Sequence, residues 1–373
     1  MCEMEKSTIA IHGGRPKKVT GAPLNYPVGV SSTYVAGGSA VYSRFETDAT
    51  RALEEVIAEL EGGDTLSFAS GLAAVKAVVD TYAKAIGRGL DVAIVEGAYN
   101  GTRMQLNGSK GFAVRSITKV PASTPDLFCE SLGKLGDVDM VWLETPTNPL
   151  MSVLPIAKVS AIAKQKGALL VVDNTFATPI ATNPIEFGAD VVIHSATKYF
   201  GGHSDVLGGT ATFANPSLAK EADLYRRLNG AILGDFEAFL ILRGIRTLPI
   251  RYRAACENAA VLVELLKEYL DQTSIYHPSL LVGTDGYEFL PQQMLLYGSM
   301  LSFDLGPSPF IAERFCERLR LAINSTSLGA VETQVERREK QELGISPGLI
   351  RVSVGIEAQR DLVEDFGQAL ERL

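Results

Sequence analysis

Four segments decide the fold: Asp139-Met-Val-Trp-Leu143, Ile156-Ala-Lys-Val-Ser-Ala-Ile-Ala-Lys-Gln165, Ala168-Leu-Leu-Val-Val172 and Asp190-Val-Val-Ile-His194. Three strand-sized apolar runs alternate with a segment of helical period, the pattern of βαβ units in a mostly parallel sheet. Turn signals part them: Thr145-Pro-Thr-Asn-Pro149 follows the first run, and Thr178-Pro179 and Asn183-Pro184 precede the last. The chain therefore reads as α/β. In open sheets of this kind ligands sit outside the carboxyl ends of the strands, so the residues just after each run carry the most information.

Outward from this centre, an amphipathic segment from about Ala254 to Tyr269 reads as a long helix. Mixed α/β sequence follows, ending in Leu349-Ile-Arg-Val-Ser-Val354 and a final helix. A boundary near Gly244 is expected, giving a large domain over 46–244 and a smaller C-terminal domain over 245–373. Residues 1–45 hold several Gly and Pro with weak periodicity and read as an extended arm lying against a neighbouring subunit.

Composition narrows the function. The 373 residues are 46% apolar and 21% charged, an ordinary globular balance, and the net charge of −8 offers no positive field for nucleic acid. The start Met-Cys-Glu-Met-Glu-Lys has no apolar run behind it, and the longest apolar stretches are strand-sized, so neither export nor membrane insertion is expected. Cys2, Cys129, Cys256 and Cys316 are isolated from one another, which fits reduced thiols in a cytoplasm and offers no metal site.

Lys198 follows the last apolar run and precedes the glycine-rich Gly201-Gly202 and Gly208-Gly209. A lone lysine is most often a solvated charge; half-buried at a strand end, it loses its proton more easily and suits Schiff-base chemistry. Ser195 and Thr197 flank it with hydroxyls able to bind phosphate. Asp173 ends the preceding strand, one βα unit earlier, where a carboxylate is costly unless it meets a positive partner. The protonated pyridinium of pyridoxal 5′-phosphate (PLP) is such a partner; a cap on the next turn is the other reading. Ser70-Gly71-Leu72 opens a helix over Leu72–Ala85, so the N–H groups of Gly71 and Leu72 either face a phosphate or belong to an ordinary Ser-Gly turn.

The ordered set Ile11-His-Gly-Gly14, Val41-Tyr-Ser-Arg44, Ser70-Gly71, Tyr99, Glu144-Thr-Pro-Thr-Asn-Pro149, Asp173-Asn-Thr-Phe-Ala-Thr-Pro179, His194-Ser-Ala-Thr-Lys-Tyr199, Ser327-Leu-Gly329 and Leu349–Glu357 resembles the Cys/Met-metabolism PLP enzymes over nearly the whole chain. The resemblance implies the PLP-dependent transferase fold of type I, with helices on both faces of a mostly parallel sheet and a smaller C-terminal α/β domain. It implies Lys198 as internal imine and proton shuttle, Asp173 as pyridinium partner and Tyr99 as the ring stacked on the cofactor. Gly71, Leu72, Ser195 and Thr197 would hold the phosphate, with Thr175 also at the cofactor and Tyr42 and Arg44 reaching it from a neighbouring chain. Arg351, Asn148 and Ser327 would bind the substrate α-carboxylate, and homodimers with shared sites would pair into a homotetramer. The implied reaction is γ-elimination or γ-replacement on a γ-substituted amino acid through a vinylglycine-type intermediate. The rivals are a cystathionine or cysteine-conjugate β-lyase and a non-catalytic regulatory subunit.

The substrate side departs from that pattern. Asn100-Gly-Thr-Arg-Met104 places Met104 where many members resemble an arginine, which argues against a substrate with a distal carboxylate. Asp48-Ala-Thr50 and Glu336-Arg-Arg-Glu-Lys-Gln-Glu342 also differ from the usual sequences.

Overall fold

The computed structural model describes residues 4–38, 41–340 and 344–373. Cys2 and residues 341–342 of the divergent stretch lie outside them. Seven strands form the larger sheet: β1 (Asp64–Phe68), β2 (Leu90–Val95), β3 (Val114–Val120), β4 (Met140–Glu144), β5 (Leu169–Asp173), β6 (Val191–His194) and β7 (Gly209–Phe213), in the order β1-β7-β6-β5-β4-β2-β3. The pairings β2–β3, β2–β4, β4–β5 and β5–β6 are parallel, and both pairings of β7 are antiparallel. Strands β4 and β5 each run one residue past the apolar runs read from sequence. Glu144 and Asp173 are thus their last residues, side by side in register.

Every residue of β2, β4, β6 and β7 is buried, so both faces of the sheet are covered, as continuous apolar runs require. The helices Gly71–Ile86, Pro125–Lys134 and Ile156–Lys166 supply Val75, Val78, Phe128, Leu132 and Val159 to a core shared with Trp142, Val171 and Val192. Each such side chain stabilises the fold by about 1.5–3 kcal/mol relative to exposure.

The smaller sheet comprises β8 (Ile275–Tyr276), β9 (Met300–Asp304), β10 (Ile323–Asn324), β11 (Gln334–Arg337) and β12 (Leu349–Ser353), ordered β10-β11-β12-β9-β8. All its pairings are antiparallel except β10–β11. Helices Pro309–Arg318 and Gln359–Leu370 cover it. The long helix spans Leu248–Tyr269, beginning before the expected Ala254. Its first turn holds Pro249, whose fixed φ and missing N–H suit a helix start but hide the amphipathic period. Leu248 and Tyr252 of this helix pack with Val56, Phe200 and Ile241, whereas Leu262 and Leu266 pack with Phe303, Phe315 and Phe366.

Within the first 45 residues a short helix, Lys6–His12, stands where only an extended arm was expected. It lies on helix Asp48–Glu61, and the chain leaves it through Gly14 at φ 59°, where a Cβ would come within 2.0 Å of the Ala52 carbonyl. From there to Asp48 the described residues hold no helix or ladder beyond an isolated bridge between Thr33 and Tyr42, and Val19, Leu24, Val30 and Val35 are exposed. Cys129 and Cys256 are free thiols, and both are buried, as is Cys316. Among the described residues no helix is long and apolar enough to cross a membrane.

Candidate active site

Lys198 sits four residues past the end of β6 in a tight turn, its N–H donating to Ser195 O at 3.0 Å and its carbonyl accepting from Gly202 N at 2.7 Å. Nζ donates to Ser327 Oγ at 2.6 Å, across 129 residues of sequence. Burial, and then the neighbouring charge of Arg351, push the Lys198 ammonium down to about 8, with Glu336 opposing. The neutral amine is the nucleophile. The rate at which cofactor-free enzyme captures PLP should therefore rise about tenfold per pH unit below pH 8 and flatten above it. Stopped-flow absorbance checks this; a rate still climbing at pH 10 would show an unperturbed lysine.

Ser327 adopts φ 87°, a region where a non-glycine residue is strained, and this turns its side chain to Lys198 while its carbonyl meets Arg351. Arg351 lies on β12 and is only 4% exposed. Its Nη1 donates to Asn148 Oδ1 at 3.2 Å; its Nη2 donates to Ser327 O at 3.0 Å and Glu336 Oε2 at 2.8 Å. Glu336 faces Arg351 in register across β11 and β12 and also accepts from Arg338 Nη1 at 2.7 Å. Lys198, Ser327, Asn148 and Arg351 thus form one connected cluster joining the two sheets.

Asp173 anchors the second cluster. Its Oδ1 accepts from Thr175 N at 3.0 Å and Thr175 Oγ1 at 2.6 Å, and no hydrogen bond within the described residues uses Oδ2. Burial pushes this carboxyl up, while the two Thr175 bonds and the charge of His194 pull it back. Thr175 Oγ1 in turn accepts from Ser195 N at 2.9 Å. Helix Gly71–Ile86 begins against Ser195: a Cβ on Gly71 would lie 3.1 Å from Ser195 Cβ. Ser70 Oγ caps Ala73 N at 3.1 Å, and the N–H groups of Gly71 and Leu72 make no hydrogen bond within the described residues. Thr197 Oγ1 is tied to Gly208, donating to its carbonyl at 3.2 Å and accepting from its N–H at 3.0 Å.

These groups fit PLP. A half-desolvated amine, a carboxylate with one free oxygen and a helix start with unclaimed N–H donors beside a serine hydroxyl match its aldehyde, pyridinium and phosphate.

Tyr99 caps helix Asn100–Gly108 and is 47% exposed, its ring folded over Gly101. Its N–H donates to Glu144 Oε2 at 2.6 Å, so the strand neighbour of Asp173 fixes where the ring emerges. Tyr42 and Arg44 have other partners: Arg44 Nη1 donates to Arg227 O at 2.9 Å, and its guanidinium stands 5.3 Å from the centroid of the Tyr42 ring. No hydrogen bond joins either to Gly71, Leu72, Ser195 or Thr197 of the same chain. Glu144 and Glu336 escaped sequence reading as site residues. The register of Glu144 with Asp173 and that of Glu336 with Arg351 are the signals that place them. A cavity of about 440 Å³ opens beside Ser327, lined by Thr197, Ser204, Asp205, Thr326 and Gln334, with no lysine or arginine of the described residues in its wall.

The profile of the Cys/Met metabolism PLP-dependent enzyme family matches residues 7–371. A cystathionine beta-lyase of Lactococcus lactis subsp. cremoris is 37% identical, the alignment covering 98% of each chain. A cystathionine gamma-lyase of Bacillus subtilis (strain 168) is 35% identical over 99% of this chain and 100% of its own. Among solved structures, the apo methionine gamma lyase of Micromonospora echinospora superposes with a TM-score of 0.90 at 34% identity, covering all of both chains.

Proposed function

The chain belongs to the Cys/Met-metabolism PLP-dependent enzymes, and from that premise we propose that it eliminates or replaces the γ-substituent of an amino acid such as a homoserine ester. The observation that carries this reading is the Lys198–Ser327–Arg351–Asn148 cluster, which sets a base and a carboxylate clamp around one point.

Bound through Lys198, PLP supplies an electron sink conjugated to the substrate amino group. Asp173 Oδ2 would meet the ring nitrogen, and Gly71, Leu72 and Ser195 would hold the phosphate, with Thr197 and Thr175 bracing the turn around them. Arg351 takes the substrate carboxylate through its planar fork, as a point charge could not. Lys198 Nζ, held by Ser327 Oγ, would take the Cα proton and then serve as the shuttle for Cβ. Tyr99 would cover the ring. The cavity beside Ser327 receives the γ-chain; its wall lacks cations, and Met104 is 65% exposed where an arginine was expected from the family pattern.

A second reading is β-elimination, favoured by the relatives named cystathionine beta-lyase. Supplied with O-acetylhomoserine, O-succinylhomoserine, methionine and cystathionine, the enzyme should release 2-oxobutanoate or its γ-replacement products, with O-acetylhomoserine turned over at a higher kcat/KM than cystathionine. An unpaired distal carboxylate costs about 1–3 kcal/mol, or roughly 10–100-fold. Pyruvate as the main product from cystathionine would replace the first reading by the second.

The same reading divides the chain into an arm over 1–45, a PLP-binding unit over 46–244 and a smaller unit over 245–373. It places the enzyme in the cytoplasm as a homodimer with shared sites, paired into a homotetramer. The exposed apolar side chains of the arm, and an Arg44 that bonds Arg227 O and none of the phosphate residues of its own chain, support a partner subunit receiving Tyr42 and Arg44. Co-expressed Arg44→Ala and Lys198→Ala chains should then regain activity, about a quarter of wild type when chains pair at random, because half the dimers are mixed and each mixed dimer holds one intact site. Mixed dimers without recovered activity would place Arg44 within its own site.

A further inference from the structure

A second cavity, of about 360 Å³, opens between the chain that follows helix Lys6–His12 and the end of helix Asp235–Ile245. Arg15 and Tyr26 from the first stretch and Phe239, Leu242, Arg243 and Arg246 from the second line it, and it shares no residue with the cavity beside Ser327. Two of the arginines already serve the fold. Arg246 Nη1 donates to the carbonyls of Ala10, Ile11 and Gly13 at 3.1, 2.9 and 2.6 Å, and Arg15 Nε donates to Ile11 O at 3.0 Å, so both cap the carboxyl end of the short helix. Arg15 Nη1 turns to Leu24 O and Asn25 Oδ1. Arg246 Nε and Nη2 are left over: both are buried, and neither has a hydrogen-bond partner among the described residues. Arg243 is exposed and makes no hydrogen bond or ion pair with the described residues. No carboxylate of those residues lines the cavity or pairs with any of the three arginines. Burial, and then the like charge of Arg15, push the Arg246 guanidinium down to about 10, so it stays charged at neutral pH.

The helix carbonyls satisfy one nitrogen of Arg246, but as neutral dipoles they do not cancel the charge of three guanidinium groups, and a buried charged donor without a partner is costly. An oxyanion meets both needs. Its two oxygens can accept from Nε and Nη2, the edge of the guanidinium that pairs bidentately with carboxylate or phosphate, and its charge offsets the arginines. The volume falls in the range of small-molecule sites, and Tyr26, Phe239 and Leu242 give an apolar wall beside the cationic one. We propose that this cavity is a second ligand site, taking a small organic anion whose carboxylate or phosphate sits on Arg246, between Arg15 and Arg243, with its apolar body against Phe239, Leu242 and Tyr26. The site is separate from the reacting centre. One loop touches both cavities, His203 lining this one and Ser204 and Asp205 the one beside Ser327, so binding rather than rate is the measurement that isolates it.

The test titrates phenyl phosphate into PLP-loaded enzyme at neutral pH by calorimetry, with inorganic phosphate and phenol as companions. PLP fills its own phosphate site, and the same titration into PLP-loaded Arg351→Ala removes the carboxylate clamp. One phenyl phosphate per chain should bind in both, at least about tenfold tighter than inorganic phosphate, with phenol giving no measurable heat. Arg246→Gln and Arg243→Gln should each weaken that binding by about tenfold or more. Absence of binding to wild type overturns the proposal. So does binding that is lost in Arg351→Ala and kept in both glutamine variants, which would put the anion at the reacting centre. Inorganic phosphate held as tightly as phenyl phosphate would overturn the organic body. Arg246→Gln gives up three carbonyl bonds, and circular dichroism shows whether it folds. Arg243→Gln gives up none, so unchanged affinity in that variant overturns the three-arginine site even where Arg246→Gln does not fold.

Discussion

Lys198→Ala enzyme should hold PLP without a covalent bond, lack the imine absorbance of the wild type, and lose at least about 10⁴-fold in kcat, because in the proposed reaction one side chain provides both the attachment and the proton transfer. Burial, which lowers the Lys198 ammonium to about 8, and the 2.6 Å bond to Ser327 Oγ support the proposed double role. Borohydride reduction of the wild type followed by peptide mapping should mark Lys198. A label on another lysine, or turnover within about tenfold of wild type in the variant, would remove it from its role.

Arg351→Ala should raise KM by about 10²–10³-fold and leave cofactor content intact, since it removes a charge-assisted clamp and leaves Glu336 with one fewer buried partner. Arg351→Lys should remain at least about tenfold impaired, because an ammonium cannot reproduce the fork that spans Asn148, Ser327 and an incoming carboxylate. Substrate amides, which lack the carboxylate, give the control: wild type and Arg351→Ala should differ little on them. If KM for the free amino acid is unchanged in Arg351→Ala, the carboxylate is held elsewhere.

The centre of the large sheet was legible because β4, β5 and β6 are covered on both faces and so read as unbroken apolar runs, and because Asp173 and Lys198 follow two of those runs directly in sequence. Asp173 and Lys198 belong to adjacent strand ends, and Gly71 to a helix start, so local patterns suffice to find them. Glu61 and His194 lie 133 residues apart, and Arg351 and Asn148 are separated by 203. Such pairs exist only once the chain is folded, and no periodicity announces them. The helix Lys6–His12 was missed because seven residues carry too little periodicity to outweigh the Gly and Pro that follow. Glu336 lay in a stretch visible as divergent, but its consequence appears only when β11 pairs with β12.

The left-handed backbone at Ser327 sets a trade-off between durability and rate. Holding a serine there costs about 1–3 kcal/mol, a strain the rest of the fold must sustain. Glycine would release that strain and keep the carbonyl for Arg351, giving a sturdier protein that has lost the hydroxyl on Lys198. Alanine would keep the strain and lose the hydroxyl as well. A search for heat-resistant variants scored on folding alone would therefore drift toward glycine at this position, and each step of that drift would be taken out of the reaction.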